Sequence, residues 1–330
     1  MTAMKATAIA NANTAIVKYW GKKDESISIP MNSSISLTTD SHNAKVTIEF
    51  SEEYKKDTAI LNGGPVPEET MKRLAGHIDS IRSIAGVDLK AHGEARTNFP
   101  VGVGLASSSA GFAALTLAAC TALGLKLSKR ELSIISRKGS GSSCRSIYGG
   151  FVEWKAGTTD ENSYAVQLAD ENWWDIRDIT VLVSTDQRRV DTRGGMKIAK
   201  ATSPYYAAWL KQTKRDVKTA VNAIKDRDFA LLGQTAERNA LMMHGTALTS
   251  TPELIYWVPE TLKVMHEVML MRDEGTACYF SCDTGANVHI LSLPEDEGLI
   301  VERLKSLNVA KDISTGKPGG GVEKTNAHLF

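Results

Sequence analysis

Apolar positions recur along the chain with two periods. Between residues 4 and 61 they fall in short β-rich runs such as Lys45-Val-Thr-Ile-Glu-Phe50, broken by Asn, Asp, Ser and Gly. That pattern predicts a series of short strands. Met71, Leu74, Ile78 and Ile81 lie three to four apart behind Pro67 and Glu68, which predicts a helix over 67–85. A strand near 88–95 follows, then helices over about 108–124 and 129–138, then strands at Phe151–Trp154 and Ile179–Ser184. The character changes after residue 195. Three amphipathic segments, 203–225, 228–241 and 252–273, read as helices. Strands near 277–283 and 287–292 bracket Asp283-Thr-Gly-Ala286, and a helix over 296–306 precedes the glycine-rich Gly316–Gly321. No internal repeat or low-complexity linker interrupts the pattern. The expected plan is α+β in two lobes joined near 185–195, with a site in the cleft between them.

Composition narrows the function classes. A chain of 330 residues holds one large domain or two ordinary ones. With 39 Lys+Arg against 38 Asp+Glu, net charge suggests no polyanion-binding surface, though a local basic pocket stays open. No nucleic-acid partner is expected. The apolar run Phe112–Leu125 is too short to span a bilayer, and Met1–Lys5 lacks the charged and apolar regions of a signal peptide. A cytoplasmic protein without a membrane partner is expected. Cys120, Cys144, Cys278 and Cys282 show no CxxC spacing, so reduced thiols are expected. In a strand, Cys278 and Cys282 would face the same side only approximately. The seven histidines are scattered, which argues against a transition metal held by the protein.

Six segments carry candidate chemistry, each with two readings. In Phe99–Phe112, Gly102 and Gly104 precede Ser107, Ser108 and Ser109 at the start of an apolar helix. Such a loop cradles phosphate on the unpaired first amides, or is a plain capped helix. In Asn13–Lys23, the cations Lys18, Lys22 and Lys23 flank Tyr19, Trp20 and Gly21, as an anion pocket or a solvated basic turn. In Gly139–Ser146, small residues surround Arg145, whose fork of donors suits a carboxylate or phosphate, or a surface ion pair. Arg188, Arg189 and Arg193 precede or flank Gly194 and Gly195, either over an anionic substrate or in a charged interlobe connection. In Tyr279–Gly285, strand alternation puts Tyr279, Ser281 and Asp283 on one face, with Asp283 as a functional carboxylate or a turn cap. His244 near a helix end reads as a structural hydrogen-bonder rather than a catalyst.

Taken together, the order and content of these pieces resemble the GHMP family of small-molecule kinases, and within it the diphosphomevalonate decarboxylases. The matching pieces are Asn13 with Lys18-Tyr-Trp-Gly-Lys22, Pro30–Ser36, Gly104–Ser109, Ser140–Ser146 with Tyr148–Phe151, Thr192–Met196, Met243-His244 and Asp283–Asn287. They span residues 13 to 287. The KYWGK and SGSxCRS segments separate decarboxylases from ordinary GHMP kinases. Two departures stand out. The family usually has Ser where Thr192 stands, and Asp-Ala-Gly-Pro-Asn where this chain has Asp283-Thr-Gly-Ala-Asn287. The tail after Gly319 has no reading.

The resemblance implies a two-lobed GHMP kinase fold, with an N-terminal mixed β/α lobe over 1–187, a C-terminal ferredoxin-like lobe over 188–330 and the active site in the cleft. It implies ATP-dependent decarboxylation of mevalonate 5-diphosphate to isopentenyl diphosphate in a homodimer, with Mg2+ carried by ATP and no certain protein ligand. Asp283 is expected to orient or deprotonate the substrate hydroxyl, and Lys18 to balance charge beside it. Arg145 would hold the carboxylate and Thr192 would bond near the reacting centre. Asn13, Tyr19, Lys22, Ser140, Gly141 and Arg193 would hold the substrate, chiefly its diphosphate. Gly104, Ser107, Ser108 and Ser109 would cradle the ATP phosphates. The alternatives are a phosphomevalonate decarboxylase, a kinase that stops at the phosphate ester, and a silent ligand-binding relative.

Overall fold

The computed structural model describes residues 4–102, 107–186 and 188–330. Its strands are β1 (Met4–Val17), β2 (Lys22–Asp24), β3 (Ile29–Pro30), β4 (Ser34–Ser51), β5 (Thr58–Leu61), β6 (Gly64–Pro65), β7 (Lys90–Thr97), β8 (Phe151–Trp154), β9 (Ala165–Ala169), β10 (Arg177–Leu182), β11 (Cys278–Cys282), β12 (Val288–Ser292), β13 (Asp312–Gly316) and β14 (Glu323–Thr325). Its helices are α1 (Glu68–Ala85), α2 (Ser107–Ala122), α3 (Lys129–Gly139), α4 (Thr192–Thr202), α5 (Tyr206–Asp226), α6 (Phe229–Leu248), α7 (Pro259–Asp273) and α8 (Glu297–Ser306). A 3-10 turn, Gly141–Ile147, follows α3.

The N-terminal strands are long rather than short. β1 and β4 run 14 and 18 residues, paired antiparallel from Met4 opposite Phe50 to Val17 opposite Ile35. The polar interruptions that resemble turns in sequence are absorbed as register shifts between Asn11 and Asn13 and between Ala15 and Val17. Bulges of this kind bend a strand and re-aim its side chains without ending it. The two shifts flank Asn13 and immediately precede Lys18.

One sheet has the order β14-β1-β4-β7-β5-β6, with β8 and β9 joined through β4. The second large sheet is antiparallel, β11-β12-β10-β13, and β2 and β3 pair with each other apart from both. The chain crosses between the two large sheets more than once. β10 enters the second sheet before the boundary expected at 187/188, and β14 returns to pair with β1.

Each sheet has its own core, and a third core joins them. Ala113, Ala114 and Ala118 of α2 pack on Ala8, Ala10, Ile48 and Phe50, the small side chains allowing close approach. The second sheet packs Ile179, Val181, Phe280 and Ile290 against Val264 and Val268 of α7 and Leu304 of α8. Between them, Ala223 of α5 and Leu232 and Ala236 of α6 meet Ile16, Val17 and Leu37 from one sheet and Tyr279 and Leu291 from the other.

Other boundaries differ from expectation. The segment expected at 228–241 extends as α6 to Leu248, and the one at 252–273 begins only at Pro259. Helix α4 begins at Thr192, inside the connection expected over 185–195. Asp191 caps it, accepting from the Gly194 amide at 2.8 Å. Paired glycines mask that helix in sequence, but a Cβ at Gly195 would strike Tyr256 and Trp20. Among the described residues, no helix is long and apolar enough to cross a membrane.

Candidate active site

Strand alternation on β11 sets the first element of the site. Cys278, Phe280 and Cys282 face the α7 core, whereas Tyr279 packs into the joining core and Ser281 points at the Ala15 carbonyl, 3.5 Å away. Asp283 continues that second face, as the sequence spacing predicts. Its Oδ1 accepts from Lys18 Nζ at 2.6 Å. Lys18 is buried and also donates to the Ala15 carbonyl at 2.9 Å, closing a turn at the end of β1. Burial alone would raise the Asp283 carboxyl, but Lys18, helped by His289 and Arg145, outweighs it and holds the group below the usual carboxylate range.

Arg145 reaches this centre from the 3-10 turn. It is buried, its Nε and Nη2 donate to Asn13 Oδ1 at 3.2 and 3.0 Å, and its Nη1 donates to Ser34 Oγ at 2.5 Å. Asn13 in turn donates to Ser146 Oγ at 2.8 Å. The guanidinium is thus held by neutral acceptors alone in the bonds it makes here. Burial disfavours its charge, and an incoming anion would favour it.

A second group of cations gathers around Gly139. Arg193, in the first turn of α4, and Arg73 of α1 both donate to the Gly139 carbonyl, at 3.0 and 3.1 Å. Arg73 lies 4.2 Å over the Phe112 ring, and its charge is disfavoured first by burial and then by Arg193. Lys22 is buried, donates to Ser28 at 3.2 Å and meets Glu25 at 3.4 Å. Its pKa is lowered by burial first and by Arg193 next. Lys23 faces solvent, so the three lysines near in sequence go to three different environments. The Tyr19 ring packs against Trp154 with centroids 4.7 Å apart and planes tilted by 59°, and its buried hydroxyl has no partner among the described residues. A Cβ at Gly141 would come within 3.0 Å of that hydroxyl, so the turn approaches as closely as only glycine allows.

Ser107, Ser108 and Ser109 open α2, beside this group. Ser109 is buried and Ser108 exposed, and Ser140 Oγ donates to Ser108 Oγ at 3.3 Å. Gly104 lies outside the described residues. Thr192 begins α4 and bonds Thr284. His244 Nε2 stands 3.1 Å from the Asp283 carbonyl, and burial, then the Lys18 charge, push its pKa down to about 4. A neutral imidazole there donates to the carbonyl and holds the turn.

Sequence reasoning missed Arg73, Thr284 and the buried pair Asp178–His289, and it singled out Arg188 without the partners it has here, Thr192 and Thr284. Arg73 follows Lys72 on an ordinary amphipathic helix, and no local signal distinguishes the two. Thr284 was visible only as a departure from the family pattern.

Residues 10–165 match the model of a diphosphomevalonate decarboxylase-like N-terminal domain. Residues 179–324 match that of a mevalonate 5-diphosphate decarboxylase C-terminal domain. A diphosphomevalonate decarboxylase of Aspergillus fumigatus is 33% identical over 93% of this chain and 81% of its own. A phosphomevalonate decarboxylase of Haloferax volcanii is 28% identical over 98% of this chain and 99% of its own. The solved structure of MDDEF in complex with MVAPP, AMPPCP and magnesium is 37% identical, with a TM-score of 0.93 over 98% of this chain and 99% of that one. The fold is the two-lobed GHMP type. The chain belongs to the diphosphomevalonate decarboxylase family.

Proposed function

We propose that this chain converts mevalonate 5-diphosphate and ATP to isopentenyl diphosphate, ADP, phosphate and CO2. The observation that carries the reading is the Lys18–Asp283 pair within electrostatic reach of the buried Arg145, next to the cations around Gly139. A tertiary hydroxyl leaves poorly. Transfer of the γ-phosphoryl group makes it a phosphate ester, the C–O bond breaks with the electron pair leaving on phosphate, and the carboxylate C–C bond supplies the pair that forms the alkene.

Asp283 orients the hydroxyl and takes its proton through the oxygen that Lys18 leaves open. Lys18 offsets charge on the transferring group. Arg145, held by Asn13 and Ser34, fixes the substrate carboxylate so that its C–C bond aligns with the departing ester. Lys22, Arg193, Arg73, Tyr19, Ser140 and Gly141 hold the diphosphate. Ser107, Ser108 and Ser109 stand at the N-terminus of α2, whose positive dipole end suits the ATP phosphates, and Mg2+ arrives with ATP. Cytoplasmic location and homodimeric assembly belong to the same proposal. Exposed Leu241 and Leu248 on α6 and Met269 and Leu270 on α7 support self-association, which sedimentation would check.

The decisive experiment supplies mevalonate mono- and diphosphate separately and counts ADP and CO2. Equal amounts of both from the diphosphate are expected. ADP without CO2 would make the protein a kinase. A strong preference for the monophosphate would favour the second reading, a phosphomevalonate decarboxylase like the Haloferax relative.

A further inference from the structure

The two departures from the family pattern lie 92 residues apart in sequence, and their side chains touch. Thr192 Oγ1 and Thr284 Oγ1 are 2.6 Å apart. Arg188 Nη1 donates to Thr192 Oγ1 at 2.8 Å, to Thr284 Oγ1 at 2.7 Å and to the Thr284 carbonyl at 2.7 Å. This cluster joins the entry of α4, which carries Arg193, to the turn that carries Asp283. An alanine at 284 would remove one of its three polar groups.

Proton counting gives the cluster a direction. Each hydroxyl has one proton and two lone pairs. Arg188 Nη1 has two protons for three acceptors, so one of its protons is shared between two of them, and one of the two hydroxyl protons is consumed between the hydroxyls themselves. The remaining proton must find an acceptor. Thr284 is buried, at 6% exposure, and a proton left free there would be an unsatisfied donor. Thr192 is half-buried, so its proton can reach an acceptor outside the cluster. The favoured arrangement therefore has Thr284 donating to Thr192. Both lone pairs of Thr192 are then filled, and its own proton points outward.

We propose that Arg188 and Thr284 are positioning residues that commit the Thr192 hydroxyl to donate, toward the phosphate ester as it departs. The inference rests on the proposed function, which places the reacting centre at Asp283, and on the role near that centre that the family resemblance implies for Thr192. A donor is what that step requires, because negative charge grows on the leaving oxygen. The side-chain methyl of each threonine limits rotation at χ1 and keeps both hydroxyls in register.

The test is a double-mutant cycle in the full-length enzyme, assayed by CO2 release, with Tm recorded for every variant. Thr284→Val removes the hydroxyl but keeps the shape. It should lower kcat about three- to tenfold, the scale of one lost hydrogen bond, with KM for mevalonate 5-diphosphate changed less than about twofold. Thr284→Ser should recover most of that loss. In a Thr192→Ala background, Thr284→Val should cost nothing further in kcat. Thr284→Ala provides the same cycle if valine does not fold. Equal losses in both backgrounds, or a loss confined to KM or Tm, would overturn the inference while leaving the proposed function intact. A wild-type protein that releases no CO2 from either phosphate would overturn that function and this inference with it.

Discussion

The two halves of the site handle charge in opposite ways. At the reacting end, Asp283 and Lys18 neutralise one another at 2.6 Å, and the bonds from Arg145 run to neutral oxygens of Asn13 and Ser34. At the anchoring end, Lys22, Arg73 and Arg193 crowd the Gly139 and Ser140 turn, and Glu25, which pairs with Lys22, has its side chain 50% exposed. In the first arrangement Asp283 and Lys18 are already neutralised in the free protein, and Arg145 alone gains from a bound anion. The second holds cations close together at a cost in desolvation and mutual repulsion, so an anion relieves strain already built in. Affinity should therefore reside at the anchoring end and rate at the reacting end.

The largest test of that division is Asp283→Asn. It should lower kcat by about two to four orders of magnitude, the usual range for loss of general-base help, while ATP and substrate binding persist. Near wild-type turnover would remove Asp283 from the mechanism.

Next in size is Arg193→Ala. Arg–phosphate bonds are charge-assisted, so its loss should weaken mevalonate 5-diphosphate by about ten- to a hundredfold, or about 1.5–3 kcal/mol, and ATP much less. Titration of each ligand by calorimetry checks this. Equal harm to monophosphate and diphosphate would show that Arg193 does not read the terminal phosphate. Arg73→Ala should act in the same direction more weakly, because part of its role is packing on Phe112.

Inorganic pyrophosphate sharpens the contrast without any substrate chemistry. A ligand at about 100 times its Kd stabilises a folded protein by about 2.7 kcal/mol. Pyrophosphate should raise the Tm of the wild type and of Asp283→Asn alike, and raise that of Arg193→Ala less. The same shift in all three would place the anion elsewhere.

The smallest effect concerns a buried pair behind the reacting end. His289 Nδ1 lies 3.1 Å from Asp178 Oδ1, and Thr14 donates to Asp178 Oδ2 at 2.5 Å. Thr180, His42, Lys18 and Asp283 also surround His289. Burial lowers the His289 pKa, but Asp178 outweighs burial and leaves it raised. A raised folded value means the contribution is full below the unfolded value and is lost as pH rises through the folded one. The Tm advantage of wild type over His289→Gln should therefore shrink from pH 6 toward pH 9. An advantage that grows over that interval would contradict the assigned charge.

Local pattern and global pairing left different traces in the chain. The 3.6-residue period of Met71, Leu74, Ile78 and Ile81 was enough for α1, which ends at Gly86 with φ 69° as a left-handed cap. The two-residue period was enough to align Tyr279, Ser281 and Asp283. The motif residues Lys18, Arg145, Thr192, Arg193 and Asp283 were legible through family resemblance, because their chemistry demands particular side chains at particular places. By contrast, long β1 and β4 read as fragments, because a bulge and a turn use the same polar residues and only cross-strand pairing tells them apart.

What the sequence by itself determined was therefore most of the helices, the family and most of the residues proposed to react. What only the tertiary structure decided was their company. Arg73 looked like any helix-surface arginine until α1 and α4 converged on the Gly139 carbonyl. Asp178 and His289 became a pair because β10 and β12 are neighbours, and Thr284 met Thr192 only because the β11 turn abuts the start of α4. Charges, pKa values and hydrogen-bond directions depend on distances across the fold, and those distances follow from packing among residues far apart in the chain.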